Sequence, residues 1–126
     1  MMPEESLPPE EASTLIVGAG IVGCSTAYHL TERGDDEVTV IDMGEIEAPG
    51  GSTVHAPGGL VETSPSKVMT EFASYSRELY TDLDAFQTDG FLELATSERR
   101  WQQAKRLYDY SKSFGVPDGE LLSPRR

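Results

Sequence analysis

The 126-residue sequence contains little cysteine, little lysine and no long apolar run. Its one cysteine, Cys24, excludes an internal disulfide framework and a zinc site built from cysteines. No apolar run approaches the ~18 residues that a membrane-spanning helix needs. The proline-rich residues 1–13 have neither the basic segment nor the apolar stretch of a secretory signal. We therefore expect a cytoplasmic location.

Acidic side chains outnumber basic ones. The chain has 22 Asp and Glu residues and 10 Lys and Arg residues, of which three are lysines, and its net charge is −12. Such a surface repels nucleic acid and anionic membranes, because proteins that bind either one use basic patches. We therefore expect neither as a partner. Many acids with few lysines are typical of a salt-rich cytoplasm, as in a halophile, and also occur in ordinary acidic proteins.

The apolar pattern predicts a strand, a helix and a second strand in the first third of the chain. Residues 14–17 (TLIV) form a short apolar run that glycine stops, as in a buried parallel strand. Residues 21–33 have the pattern of a helix that Gly34 ends. Residues 38–41 (VTVI) have the pattern of a second strand. This order predicts an α/β fold with a Rossmann-like βαβ unit, preceded by a flexible acidic leader over residues 1–13.

Residues 43–64 are rich in glycine and proline, which is typical of a binding loop when a segment of this length lies inside a compact domain. A helix is predicted next, with Ser64 as its N-cap and Pro65 as its first residue. Apolar residues spaced three or four apart predict one buried face for this helix. They are Val68, Phe72, Tyr75, Leu79, Leu83 and Phe86.

The remaining sequence predicts a strand over residues 91–95 and a helix from about Ser97 that Gly115 ends. Ser123 and Pro124 have the pattern of a further helix start. An open, doubly wound sheet contains more parallel strands than the two predicted in the βαβ unit. We therefore expect an incomplete doubly wound sheet, with residues 14–126 forming the N-terminal portion of a longer, truncated domain.

Residues 18–23 (GAGIVG) match the G-x-G-x-x-G pattern of dinucleotide-binding turns, between a predicted strand and a predicted helix. Gly18 would allow the tight turn, Gly20 the approach of the backbone to a pyrophosphate, and Gly23 close packing of helix on strand. Asp42 follows Gly23 by 19 positions, where a carboxylate accepts hydrogen bonds from a ribose and disfavours a 2′-phosphate. The pattern predicts a site for FAD or NAD. We expect Cys24 to be a small buried residue of the same helix.

Residues 50–61 (GGSTVHAPGGLV) resemble a loop of the family of dimethylglycine oxidase, dimethylglycine dehydrogenase and sarcosine dehydrogenase. These proteins are FAD-dependent amine oxidoreductases of the glycine-oxidase type. The likeness continues through residues 64–67 (SPSK), 90–96 (GFLELAT) and 121–124 (LLSP). It therefore covers roughly residues 14–126.

The resemblance implies roles for three residues of this loop. His55 matches the histidine that the family joins covalently to the 8α-methyl group of the flavin, whereas without the resemblance it would be interpreted as a loop histidine bonded to backbone. Ser52 and Thr53 match residues that lie along the pyrophosphate and the flavin. The chain departs from the family at Gly58 and Gly59, where a single glycine is usual.

The resemblance also implies a function. The family oxidises N-methylated glycines such as dimethylglycine or sarcosine by hydride transfer to FAD, and a separate C-terminal domain binds tetrahydrofolate. We find no catalytic residue and no metal-ligand spacing in this sequence, and we expect the chain alone to be inactive. Two alternatives stay open: a truncated, non-catalytic remnant, and an NAD-binding Rossmann dehydrogenase domain, for which the segment around His55 would have no use.

Overall fold

The computed structural model describes residues 10–44, 50–116 and 119–123, which divide into two compact units after Gly58. The described elements comprise a two-stranded parallel sheet and helices, which confirms the α/β class. In chain order they are β1 (Thr14–Val17), α1 (Ile21–Glu32), β2 (Val38–Ile41), a 3₁₀ turn (Thr53–His55), α2 (Lys67–Asp82) and α3 (Glu98–Ser113).

The first unit contains the predicted βαβ arrangement. Strands β1 and β2 are parallel, with Thr14 opposite Val38 and Val17 opposite Ile41. Helix α1 packs against both strands. Side chains that alternate with the half-buried ones remain in solvent, since Leu15 is 56% and Val17 79% exposed. Within the described part of the first unit, α1 therefore covers one face of the sheet, whereas a doubly wound sheet carries helices on both.

Gly34 ends α1 as the sequence predicts. It has a φ of +92°, which favours glycine, and its N–H donates to the Thr31 carbonyl at 2.9 Å. The N–H of Asp35 donates to the Leu30 carbonyl at 3.1 Å. These two bonds form a Schellman motif, which satisfies carbonyls that the last helical turn leaves open. The helix itself ends at Glu32, one residue before the predicted end.

Helix α2, in the second unit, begins later than predicted. Its N-cap is Ser66, with an extended backbone (φ −104°, ψ 120°), and its first residue is Lys67. The predicted start at Ser64 and Pro65 is wrong, because the Ser64 hydroxyl accepts a hydrogen bond from the Ser66 N–H at 3.1 Å. That bond closes a local turn ahead of the helix, in competition with a helical turn over the same residues.

The face of α2 that the apolar spacing predicts as buried is largely exposed. Val68, Phe72 and Tyr75 are 55%, 64% and 53% exposed, whereas Thr70 is 1% exposed. No hydrophobic side chain is fully buried in the part of the chain that the structure describes. The helix is therefore present, but its apolar face lacks the cover that the prediction assumed.

The strand predicted over residues 91–95 is absent. The segment has no regular structure, and Phe91, Leu92 and Leu94 are each about 70% exposed. A strand needs a neighbour for its backbone hydrogen bonds, and no residue in the described ranges pairs with this segment. Its apolar sequence alone therefore does not make it a strand.

Helix α3 follows the sequence prediction. The Ser97 hydroxyl accepts from the Arg100 N–H at 3.3 Å and caps the helix, and Gly115 follows its end with a φ of +87°. The helix start predicted at Ser123 and Pro124 falls partly outside the described residues, as do residues 1–9 of the predicted leader. Of the helices in the described ranges, none has the length and apolarity required to cross a membrane.

Candidate dinucleotide site

The glycine turn between β1 and α1 is tied to the second strand. The N–H of Gly18 donates to the carbonyl of Ile41, the last residue of β2, at 2.7 Å. Gly18 has a φ of +106°, a conformation that side-chain-bearing residues rarely adopt. The turn therefore requires glycine at this position, as the fingerprint predicts.

Gly23 permits the close packing of α1 on the turn. A Cβ atom at this position would collide with the carbonyl oxygen of Gly18 and would lie 3.3 Å from Cγ2 of Ile16. The backbone of the first helical turn thus lies directly against the end of β1. This is the packing role that the third glycine of the fingerprint has in dinucleotide-binding folds.

Gly20 is the N-cap of α1 and makes room for Thr53. A Cβ atom on Gly20 would lie 3.1 Å from Oγ1 of Thr53, tighter than an ordinary contact. That hydroxyl oxygen accepts a hydrogen bond from the N–H of Ile21, the first residue of α1, at 3.0 Å. The structure therefore brings the Ser52–His55 segment to the start of the helix.

The start of α1 has the chemistry that a phosphate requires. The N–H groups of Val22 and Gly23 point out of the first helical turn, where no carbonyl of the helix can accept from them. The positive end of the helix dipole lies at the same place. Free N–H groups together with this dipole suit a pyrophosphate, and the absence of a side chain at Gly20 lets one approach the backbone.

The Asp42 carboxylate lies beside the glycine turn at the end of β2. Its Oδ1 accepts from the N–H of Gly44 at 2.7 Å, and its Oδ2 accepts from the N–H of Ala19 at 2.6 Å. These hydrogen bonds, first that of Gly44 and then that of Ala19, hold the pKa of Asp42 below its usual range. Each carboxylate oxygen can accept more than one hydrogen bond, so the anion retains acceptor capacity for ribose hydroxyls.

Thr53 and His55 lie on the 3₁₀ turn, Ser52 is its N-cap, and all three are exposed. The N–H of His55 donates to the Ser52 carbonyl at 3.2 Å, and the N–H of Ala56 donates to the Thr53 carbonyl at the same distance. These two hydrogen bonds therefore hold Thr53 and His55 in one turn. Of the predicted site residues, Asp42 is hydrogen-bonded to the glycine turn at Ala19, and Thr53 to the first residue of α1.

Two features of the site were not predicted from the sequence. Cys24 is exposed, so its prediction as a buried residue is wrong: it lies on the solvent side of the first turn of α1, where its thiol donates to the Ala19 carbonyl at 3.2 Å. The bond between Ile21 and Thr53 was not predicted. No sequence signal pairs two positions that are 32 residues apart when one of them contributes only its backbone.

The described part of the chain holds no group of three or more His, Cys, Asp or Glu side chains placed to bind a metal ion. The polar groups gathered at the turn after β1 are instead backbone N–H donors, one carboxylate and one hydroxyl. Such a set suits a ligand that carries both phosphates and a ribose.

Comparison with known proteins gives a family and several relatives. The sequence profile of the FAD dependent oxidoreductase (DAO) family matches residues 13–126. The mitochondrial pyruvate dehydrogenase phosphatase regulatory subunit of Mus musculus is 31% identical over 125 residues, which cover 94% of this chain and 14% of that protein. The mitochondrial sarcosine dehydrogenase of Mus musculus is 28% identical over 124 residues, 92% of this chain and 13% of that protein.

The mitochondrial dimethylglycine dehydrogenase of Rattus norvegicus is 34% identical over 108 residues, 78% of this chain and 12% of that protein. The chain thus spans between 12% and 14% of the length of these three relatives. The similarity includes the glycine turn and the segment that carries His55, because the family profile extends over both.

Proposed function

Because the chain belongs to the FAD-dependent oxidoreductase family, we propose that it is the N-terminal, FAD-binding portion of an amine oxidoreductase that acts on an N-methylated glycine. The family match confirms the resemblance to sarcosine and dimethylglycine dehydrogenases, and FAD, not NAD, is the cofactor of this family. The names of these two relatives support dimethylglycine or sarcosine as the substrate. Because the chain spans only 12–13% of their length, the residues that bind the amine would lie in polypeptide outside it.

One observation carries the proposal: the hydrogen bond between Thr53 and the Ile21 N–H. It joins two motifs that the sequence suggests separately, the glycine turn and the segment of residues 50–61. A dinucleotide held by the turn would therefore reach the Ser52–His55 segment without rearrangement of the first unit.

The residues of the first unit have distinct roles in this proposal. Gly18, Gly20 and Gly23 shape the turn, so that the backbone N–H groups of α1 hold the pyrophosphate. Asp42 accepts hydrogen bonds from the ribose hydroxyls of the adenosine part. Ser52 and Thr53 line the path from the pyrophosphate to the flavin ring, and His55 forms the covalent link. When bound, FAD supplies the acceptor for a hydride from the N-methyl carbon of the amine.

A second candidate, a chain of this family with no catalytic role, is favoured by one comparison. The 31% identity to a phosphatase regulatory subunit covers more of the chain than the identity to either dehydrogenase does. The lack of a fully buried hydrophobic side chain among the described residues also fits a truncated remnant. This candidate requires no covalent flavin.

Flavin attachment distinguishes the two candidates. The chain would be expressed in high salt with FAD, both alone and extended by any coding sequence that follows it in its gene. After acid denaturation, flavin fluorescence on the protein band of a gel measures covalent cofactor. We expect a fluorescent band that His55→Ala abolishes and that His29→Ala, a change of the other histidine, retains.

The outcomes separate the candidates further. Fluorescent protein that also oxidises dimethylglycine or sarcosine in the extended form supports the oxidoreductase. An extended protein that carries neither covalent nor dissociable flavin contradicts it and favours the non-catalytic candidate. If acid releases the flavin from the protein, FAD binding is supported but the covalent role of His55 is overturned.

A further inference from the structure

The hydroxyl of Thr53 is the described hydrogen-bonding link between residues 50–58 and the βαβ unit. Its Oγ1 accepts from the Ile21 N–H at 3.0 Å. The other hydrogen bonds found for residues 50–58, in the ranges that the structure describes, stay within the 3₁₀ turn itself. In the described ranges, one side chain therefore makes the hydrogen bond that joins this turn to the start of α1.

The two sides of this contact are matched in shape. Gly20, immediately before Ile21, has a φ of −72° and a ψ of 179°, a conformation open to any residue. Glycine is thus not required here by the backbone. The missing side chain instead makes room for Thr53, because a Cβ atom on Gly20 would lie 3.1 Å from Oγ1 of Thr53, tighter than an ordinary contact. The Thr53 hydroxyl therefore lies close to the space that a side chain on Gly20 would occupy.

The 3₁₀ turn links the position of His55 to that of Thr53. Thr53 is the first residue of the turn and His55 the last, and the two backbone bonds of 3.2 Å close it around them. Three residues in one hydrogen-bonded turn leave the backbone of His55 little freedom relative to Thr53. Loss of the Thr53 bond would release both residues together from α1.

We propose that Thr53 is a positioning residue for flavin attachment: its hydroxyl holds the turn on the start of α1 and so places the His55 imidazole for its reaction with the flavin. This inference rests on the attachment proposed above. Attachment replaces one hydrogen of the flavin methyl group and the N–H proton of the neutral imidazole by a nitrogen–carbon bond. The two protons and two electrons that are released reduce dioxygen to hydrogen peroxide.

Accurate placement matters because the reacting nitrogen and carbon must meet within a narrow range of distance and angle. A loop that samples many positions loses the rate advantage that a fixed geometry gives. The flavin would still bind, since the glycine turn and Asp42 hold its other end. Removal of the Thr53 hydroxyl should therefore slow attachment more than it weakens binding, a split that a merely structural residue would not produce.

Three variants test the proposal. Thr53→Val keeps the shape of the side chain but removes the acceptor, and Thr53→Ser restores it. Thr63→Val makes the same chemical change at an exposed position outside the turn. Each protein, in the longest form that the gene encodes, is loaded with FAD under air, and the acid-stable share of its bound flavin is followed over time.

We expect Thr53→Val to attach flavin about tenfold more slowly than Thr53→Ser, Thr63→Val and the unchanged protein, with total bound FAD reduced less. Amide exchange of Ile21 is measured by nuclear magnetic resonance without FAD. It should become about tenfold faster in Thr53→Val if the Thr53 hydroxyl protects this N–H. Attachment at the unchanged rate in Thr53→Val overturns the positioning role. So does unchanged exchange of Ile21.

The experiment separates this inference from the proposed function. An unchanged protein that gains no acid-stable flavin contradicts the proposed attachment, and the positioning role falls with it. An unchanged protein that attaches flavin, beside a Thr53→Val variant that attaches it equally fast, contradicts the positioning role alone and leaves the proposed function intact.

Discussion

The hydroxyl of Thr14, the first residue of β1, donates to Oδ2 of Asp35 at 2.8 Å. Asp35 also accepts, at Oδ1, from the Ser13 hydroxyl at 3.2 Å and from the Glu37 N–H at 3.3 Å. One carboxylate thus joins the end of α1 to the starts of both strands. It lies at the opposite end of the parallel strands from Asp42, so the first unit is held at each end by a hydrogen-bonded aspartate.

Acid should destabilise the first unit through these two aspartates. The hydrogen bond from Thr14 lowers the pKa of Asp35, and those from Gly44 and Ala19 lower the pKa of Asp42. Each group therefore contributes stability that is fully present above the unfolded pKa of about 3.9 and is lost as the pH falls through the lower folded pKa. We expect the urea midpoint, followed by circular dichroism, to fall between about pH 5 and about pH 3.

Asp35→Asn should flatten that acid dependence, because the amide cannot titrate. Asp36→Asn is the matched control, since the Asp36 carboxylate forms no hydrogen bond among the described residues. Equal acid dependence in the Asp35 and Asp36 variants would contradict the role of the Thr14 bond.

Asp42→Asn should weaken FAD binding while the fold is retained. The amide keeps the shape but loses the negative charge, and hydrogen bonds from ribose hydroxyls to a charged acceptor are stronger than those to a neutral one. We expect the dissociation constant for FAD, measured by fluorescence titration, to rise about tenfold. Asp36→Asn, with its carboxylate away from the turn, should bind FAD as the unchanged chain does. An unchanged constant in Asp42→Asn would remove Asp42 from the site.

Gly23→Ala should disrupt the turn itself. The new Cβ would collide with the Gly18 carbonyl, a backbone atom that cannot rotate away, so α1 must move off β1. Overpacking of this kind costs about 1–3 kcal/mol, which a small unit does not tolerate well. Urea unfolding and FAD titration should both show the loss. Gly50→Ala is the control, because its Cβ would enter open space, and an equal loss there would refute the steric explanation.

The first unit shows how much the sequence alone can predict. The bounds of β1 and β2 match the prediction because glycine, a cap residue and β-branched runs act locally. The contact between Thr53 and Ile21 was beyond prediction, since it depends on where the chain returns after the segment that follows β2. Local chemistry determined the elements of the site, whereas tertiary geometry determined which of them meet.

The second unit shows what the sequence alone does not predict. The spacing of Val68, Phe72 and Tyr75 predicts a helix correctly, because periodicity reflects the helix itself. It does not show what covers the apolar face, and in the described chain these residues are more than half exposed. The strand over residues 91–95 failed for a related reason. A strand depends on a partner, and apolar composition carries no information about whether one is present.

Thr70→Val should stabilise the second unit. Thr70 is 1% exposed, and its Oγ1 forms no hydrogen bond with any residue that the structure describes. A buried hydroxyl without a partner costs about 1–3 kcal/mol, and valine has nearly the same shape without that group. We expect the free energy of unfolding, followed by the fluorescence of Trp101, to rise by about 1 kcal/mol. Thr70→Ser keeps the hydroxyl and should show no gain. A loss of stability in Thr70→Val would mean that the hydroxyl has a partner.

Phe72→Gln should reduce self-association of the chain at little cost to its fold. Phe72 is 64% exposed and lies on α2 with Val68 and Tyr75, so the three form an apolar surface in contact with water. Surface substitutions change stability by only about 0.5 kcal/mol, whereas exposed apolar patches favour association. Sedimentation velocity at several concentrations should show less association for Phe72→Gln. Phe86→Gln, at a half-buried position beyond α2, is the control and should destabilise the unit instead. If Phe72→Gln unfolds the second unit, the apolar face of α2 is part of a core within this chain, and the exposed surface inferred here does not exist in solution.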